Sequence, residues 1–484
     1  MMMKQTVALV ASAALLGACN DATTVPDLNN VSSEAIAGGM TTATAQLLTT
    51  GLFNQYRNSA IGNYIVFPET MARDAMRMDK AENRYVTEIM GSTQPDAGAF
   101  TGQGVFAGFF IGIRAANTLI DGVKAATDAS GLNGAQRSAL VGLGQTMKAL
   151  NYWNVIEMRD SIGMPIDLDH DITAPPAPWR CKPAVLEYIS ALLDSAQTAL
   201  TAGGAGFPVT LPSGYQAKAG TPADMIKFNR GIKAKVELYR GLSRQSGTGA
   251  AGFNAAVTAL GQSFMQSTDL SAAGLAVGVY ENYSTATGET SSSLVDAALH
   301  LNNAVADSIS PGDRRSVKIV LHIDETTKAP APYTMTASNV PLTSSYDFVN
   351  SVSSAALTIP QPILRNEELL LLRAQAAIEL NDLATATQYL NFVRVNSGGL
   401  TAYPTFTSQA AARNALLYEK RYSLLMEGPQ RLLDLRAYSR MNSASFVAGS
   451  ASSPFPGDVF TSALPVPINE INFRDPKLTT LTCQ

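Results

Sequence analysis

The densest chemistry in the sequence is the stretch from Glu419 to Arg440, EKRYSLLMEGPQRLLDLRAYSR, with eight charged residues in twenty-two. Charged residues are only 15% of the whole chain. Such a knot is an active site, a binding face or internal scaffolding. Gly428 stands where a helix ends most cheaply on a left-handed residue, and Pro429 where the next one starts. Arg431 and Asp434 are three apart, on one helical face. Glu419, Arg421, Glu427, Arg431 and Asp434 are therefore expected to form one partly buried ion network that fixes the angle between two helices. The stretch reads as scaffold, without catalytic residues.

Other reactive residue types are sparse. The three histidines are His170, His300 and His322; the last two lie in the variable segment with no sequence-adjacent partner set, and all three read as solvated or hydrogen-bonded side chains. Asp167, Asp169 and Asp171 alternate as oxygen ligands for calcium would, but the run lacks the glycine and distal glutamate of an EF-hand loop. It reads as a capped, solvated turn. The sequence holds no GxSxG, HExxH or phosphate-loop pattern. No cofactor and no metal site is expected.

The residues that must position a site are framed by an unusual start. MMMKQTVALVASAALLGAC has a lysine, a ten-residue apolar run from Val7 to Leu16 and small residues before Cys19, the three parts of an export signal. Leu16-Gly17-Ala18-Cys19 has the form of a bacterial lipobox, in which the Cys19 thiol receives a diacylglycerol. Residues 1–18 are thus read as a lipoprotein signal peptide and 19–30 as a polar tether. No other stretch approaches 18 continuous apolar residues, so the expectation is a protein anchored to a membrane by lipid rather than embedded in it. With Cys19 acylated, Cys181 and Cys483 either pair across the chain or stay as thiols. A net charge of -4 provides no field to gather phosphate polymers, so nucleic acid is not an expected partner.

Residues 31–484 read as a single body. In 31–264, helical periodicity marks Ser32 to Tyr56, Phe106 to Ala126, Gln136 to Met158, Ala184 to Leu200, Ala223 to Leu242 and Phe253 to Phe264. Segment 265–361 changes to Ser, Thr, Gly and Asn with short alternating runs such as Val317 to Ile323, which read as loops with a few strands. Helices return in 362–484: Pro362 to Leu380, Asp382 to Val395, Ser408 to Met426 and Gln430 to Ser439. Asn381-Asp382 supplies a turn and a cap between the first two. The fold class is mainly α, with tetratricopeptide-like helical hairpins packed against a loop-rich half.

Five elements in order carry a resemblance to a known family. Arg365, Glu368, Leu371, Ala374 and Ala376 fit the first, with Gln375 where an acid is expected. Asn391 and Arg394 fit the second, and Glu419, Lys420, Arg421, Leu424, Glu427 and Gly428 the third, with Ser423 in place of its internal glutamate. Arg431, Asp434 and Leu435 fit the fourth; Pro465, Val466, Pro467, Glu470 and Ile471 the last. In this pattern, and in its lipobox, the chain resembles the SusD/RagB family of nutrient-binding outer-membrane lipoproteins. The resemblance implies a helical body with a loop-built ligand site, capping a TonB-dependent outer-membrane transporter to which it delivers an oligosaccharide, or in some members a peptide. The family's contact residues follow no portable motif.

Candidate ligand residues are therefore chosen by residue type and loop position. A glycan site combines flat aromatic faces with planar polar groups. Trp153 lies on an apolar helix stripe and reads as core. Trp179, in a proline-rich loop beside Cys181, reads as a platform or as packing against a disulfide. The loop carrying Arg73, Asp74, Arg77 and Tyr85, and Tyr280 with Tyr283 in the variable segment, complete the candidates. The competing function is a lipid-anchored carbohydrate- or peptide-active hydrolase whose carboxylate pair is distant in sequence.

Overall fold

The long helices begin where the sequence provides a cap. The Thr41 hydroxyl accepts from the Thr44 amide at 3.1 Å and opens α1, Thr42–Ser59. Gly62, in a positive-φ conformation, then turns the chain into α2, Asn63–Met71, and strand β1, Ala75–Arg77. After α3, Ala107–Ala125, a reciprocal cap between Asn133 and Gln136 starts α4, Gly134–Arg159. A two-residue ribbon, β2 (Met164–Pro165) with β3 (Trp179–Arg180), leads to α5, Lys182–Thr201. Then come α6 (Ser213–Ala219), α7 (Pro222–Leu242) with Thr221 as its cap, and α8 (Ala250–Gly261). This computed structural model describes residues 40–91, 93–166, 168, 175–245, 247–337, 340–441 and 461–474. The signal segment, Cys19, the tether, His170, the aspartates at 167, 169 and 171, and Cys483 lie outside them.

The variable segment holds α9 (Ala272–Ala276), β4 (Gly278–Glu281), β5 (Leu299–Leu301), α10 (Asn303–Asp307), β6 (Ile319–Leu321), β7 (Tyr333–Ala337), β8 (Val340–Ser344) and β9 (Tyr346–Phe348). Strands β1, β5, β9 and β6 form an antiparallel sheet in that order, and β7 pairs with β8. The last part holds β10 (Gln361–Arg365), α11 (Asn366–Glu379), α12 (Leu383–Asn396), α13 (Gln409–Ser423), α14 (Gln430–Ala437) and α15 (Ile468–Phe473). Asp382 caps α12 through the Thr385 amide at 3.1 Å, and Asn381 takes φ 61°, as the turn reading required.

Helix packing explains the small residues. α4 lies between α3 and α5; a Cβ on Gly144 would come 2.8 Å from Ile120 Cγ1, and one on Gly142 2.6 Å from Leu200 Cγ. α11 is buried nearly all round, with α12 and α13 against it. One continuous apolar cluster reaches from Met40 on the entry to α1 to Leu464 before α15, and a second fills the space among α11, α12 and α13. The helical hairpins and short antiparallel strands agree with the fold class read from the sequence.

Two readings need correction. The stretch Gln361–Arg365 is strand rather than the start of a helix, because Pro360 and Pro362 push the residues before them into extended backbone and the segment pairs with β4. The charged stretch does not form one ion network. Successive residues of a helix radiate about 100° apart, so neighbours in sequence meet different parts of the fold. Glu419 faces Arg315 at 2.7 Å and Arg394 at 3.1 Å. Lys420 reaches Asp434 at 2.8 Å, with Tyr239 and Gln375 each at 3.0 Å. Arg421 makes a forked pair with Asp74, which also lies 3.7 Å from Arg431. Glu427 accepts from Arg365 at 2.7 Å. Several of these pairs join separate sequence elements: Arg365 of the first with Glu427 of the third, Arg394 of the second with Glu419, and Lys420 with Asp434 of the fourth.

Candidate functional site

A cavity of about 520 Å³ opens where the end of α1, the start of α2, β1 and the loop before β5 meet. Gln55 and Asn58 reach it from the last turns of α1, and Asn63 from the first position of α2. Gly62 allows this junction: its φ is +59°, and a Cβ there would stand 3.0 Å from Ser293 Oγ on the opposite wall. β1 ends at Arg77, and Tyr85 begins a single wide helical turn, Tyr85–Ile89. Asp296 and Ser293 come from the loop ahead of β5.

These side chains hold one another. Arg77 Nε donates to Asp296 Oδ2 at 2.5 Å, and its Nη1 lies 3.1 Å from Asp79. The guanidinium sits over the Tyr85 ring, 4.2 Å from its centre. Tyr85 donates its hydroxyl to Asn63 Oδ1 at 2.7 Å and packs edge-on to Phe100 at 4.9 Å. Burial works against the Arg77 charge, but the Asp296 carboxylate more than restores it, so Arg77 is held above its ordinary range. Burial raises the Tyr85 phenol too, with Arg77 offsetting part of the effect, which keeps the hydroxyl a neutral donor. The wall therefore presents a fixed cation and planar amides, a set suited to ligands with many hydroxyls or carbonyls.

Of the residues expected at a ligand site, the structure brings Arg77 and Tyr85 together here. Arg73 and Asp74 are buried beneath, and Asp74 is occupied by Arg421. Tyr283 is buried, its hydroxyl reaching the Arg57 carbonyl at 3.4 Å, and Tyr280 donates to the Ala276 carbonyl; neither lines this cavity. Trp179 stands elsewhere, stacked on Phe106 at 6.4 Å with Arg474 over its ring and its Nε1 donating to the Ile162 carbonyl at 2.8 Å. Phe106 borders another cavity of about 400 Å³, with Phe110 and Phe473. Trp179 supports that cavity from behind rather than offering it an open face. Cys181 beside it is disulfide-bonded. Gln55, Asn58, Asn63 and Asp296 have no motif or spacing that marks them in the sequence.

No family model and no curated protein matches the sequence. Solved structures do match. A SusD superfamily protein from Parabacteroides distasonis superposes with a TM-score of 0.67 at 13% identity, over 92% of this chain and 98% of that one. The chain has the SusD fold. NanU of B. fragilis, at 16% identity, covers 93% of this chain and 98% of its own with a TM-score of 0.65. Surface glycan-binding protein A from Bacteroides thetaiotaomicron, solved with laminarihexaose, gives 0.65 at 14% identity, over 92% of this chain and 100% of that one. The family pattern spread over Arg365 to Ile471 and the SusD fold thus point the same way. No described helix is long and apolar enough to cross a membrane.

Proposed function

We propose that this protein is a surface lipoprotein that binds a nutrient, an oligosaccharide in the first instance, and hands it to a TonB-dependent outer-membrane transporter. The observation that carries the reading is the cavity built by Arg77, Tyr85, Asn63, Asn58, Gln55 and Asp296, in a fold whose solved examples include a glycan-binding protein holding laminarihexaose. Planar amides and a guanidinium pair well with the vicinal hydroxyls of sugars. Among the described residues lining this wall Asp296 is the one carboxylate, and it and the neighbouring Asp79 are both tied to Arg77, whereas glycoside hydrolysis uses two carboxyl groups free to act on the sugar. This favours binding over turnover. The lipobox at Cys19 and the sequence elements shared with the SusD/RagB family support the lipid anchor and the transporter as partner.

Calorimetry of the mature chain against oligosaccharide and peptide panels, beside a product assay, tests the reading. A saturating oligosaccharide should lose at least tenfold in affinity with Arg77→Ala and less with Tyr85→Phe. Undiminished binding by Arg77→Ala would move the site elsewhere, and conversion of the bound sugar to product would favour the hydrolase instead. Co-purification of a TonB-dependent barrel with the protein from outer membranes tests the hand-off partner.

A further inference from the structure

The four-stranded sheet carries a second constellation on which the proposed function does not draw. In its register His300 of β5 stands directly opposite Asp347 of β9, and Asp347 opposite Val320 of β6. Side chains on a strand repeat every two residues, so His322, two beyond Val320, points to the same face. The His322 amide bond to the Ser345 carbonyl at 2.9 Å keeps that register. Asp347 is thereby placed between two imidazoles. His300 Nδ1 lies 2.6 Å from Asp347 Oδ1, and His322 Nδ1 lies 2.9 Å from Oδ2. One ligand-type atom from each of the three residues falls within 4.8 Å of the others.

The surroundings fit a bound ion. The His300 side chain is fully buried, Asp347 is 3% exposed and His322 12%, so the trio is closed on one side and reachable on the other. Among the described residues no lysine or arginine pairs with Asp347; its salt-bridge partners are the two imidazoles alone. A buried carboxylate without a fixed cation is costly. The His300 Nε2 atom is also buried without a hydrogen-bond partner, so that ring has a nitrogen to spare. Tyr333 stacks flat on His300 at 4.4 Å, and Met76, the cross-strand neighbour of His300, belongs to an apolar cluster with Met78, Met90 and Met335. That cluster lowers the local dielectric and strengthens any charge interaction.

We propose that His300, His322 and Asp347 bind one divalent first-row transition-metal ion of the zinc, nickel and copper type. Two imidazoles and one carboxylate suit these ions, whereas calcium and magnesium favour all-oxygen shells. Ligand atoms around a tetrahedral ion with bonds of about 2.0–2.1 Å stand roughly 3.4 Å apart, so the present hydrogen-bond spacings need side-chain shifts below about 1 Å. The open position lies on the His322 side. The ion would fasten β5, β6 and β9, the sheet whose edge strand β1 carries Arg77.

The test uses untagged, mature full-length protein freed of metal by chelator and dialysis. Zinc(II) titration should show one ion per chain and a raised Tm. His322→Gln, at the partly exposed position, should weaken binding at least tenfold, while His170→Gln leaves it unchanged. Copper(II) loaded at one equivalent should give an electron paramagnetic resonance spectrum with coupling to two nitrogens, reduced to one by His322→Gln. Binding with the same affinity in His322→Gln and Asp347→Asn, or no saturable binding by the parent chain, would overturn the site. Should Asp347→Asn fail to fold, the His322→Gln titration and spectrum decide alone.

Discussion

Charged residues here serve mostly as internal fasteners, and each is specific about its partner. Arg421 links α13 to Asp74 next to β1, a contact spanning most of the chain. Arg421→Ala leaves a buried carboxylate with only the more distant Arg431, and should cost about 3–5 kcal/mol in denaturant unfolding. Arg421→Lys keeps the charge but loses the fork and should recover part of it. An Arg421→Ala chain as stable as its parent, yet unable to bind ligand, would reverse the scaffold role of this stretch. Buried acids give a second expectation. Burial pushes Glu281 up to about 8, although Tyr215 donates to it at 2.5 Å and the charge of Arg57 opposes the shift. The ordinary value is 4.5, so the folded state holds a proton that the unfolded state releases between those pH values. This contribution to stability is complete below about pH 4.5 and is lost as pH rises to about 8. Glu157, raised to about 7 by burial, acts in the same direction. Glu281→Gln should flatten the fall of Tm across that window, and an unchanged slope would mean the site does not titrate there.

At the level of elements, the sequence was most legible where one signal decided the outcome. α4 follows its apolar stripe, α12 starts at its Asp382 cap, and α11 is apolar all round because it is enclosed by neighbours. α2 left little trace: its buried run Tyr64–Met71 has no helical face to detect and contains Pro68. The candidate sites were harder to read for a related reason. Arg77 and Tyr85 could be chosen from residue type, but Asp296 and Asn63 join them only through tertiary contacts, and His300, His322 and Asp347 meet only through strand register. Such pairings span 22 to more than 200 positions, and no local periodicity encodes them. Helix glycines separate close packing from mere tolerance. Gly142→Ala should destabilise by about 1–3 kcal/mol, since its Cβ would press on Leu200. Gly51→Ala on α1 meets nothing within 4 Å and should stabilise by up to about 1 kcal/mol. Equal effects in thermal unfolding would mean that the α4–α5 approach does not depend on the missing side chain.

For the whole molecule, the three cysteines link the proposed lipid anchor to the fold. Cys181, at the cap of α5, is disulfide-bonded, and only Cys19 and Cys483 are available as partners within the chain. A Cys19 thiol that carries a diacylglycerol cannot also form a disulfide, so the lipid anchor requires the bond to run from Cys181 to Cys483. That bond would close a loop of about 300 residues, and loop-closure entropy puts its stabilisation at roughly 6 kcal/mol at most. Peptide mapping of the membrane-extracted protein under non-reducing conditions should therefore recover the Cys181 peptide joined to the C-terminal peptide, and an acylated N-terminal peptide free of both. Cys483→Ser should then release a free thiol at Cys181 and lower Tm without detaching the protein from the membrane. A Cys181 peptide joined to Cys19 would instead remove the lipid anchor, and with it the main support for a protein held at the mouth of an outer-membrane transporter.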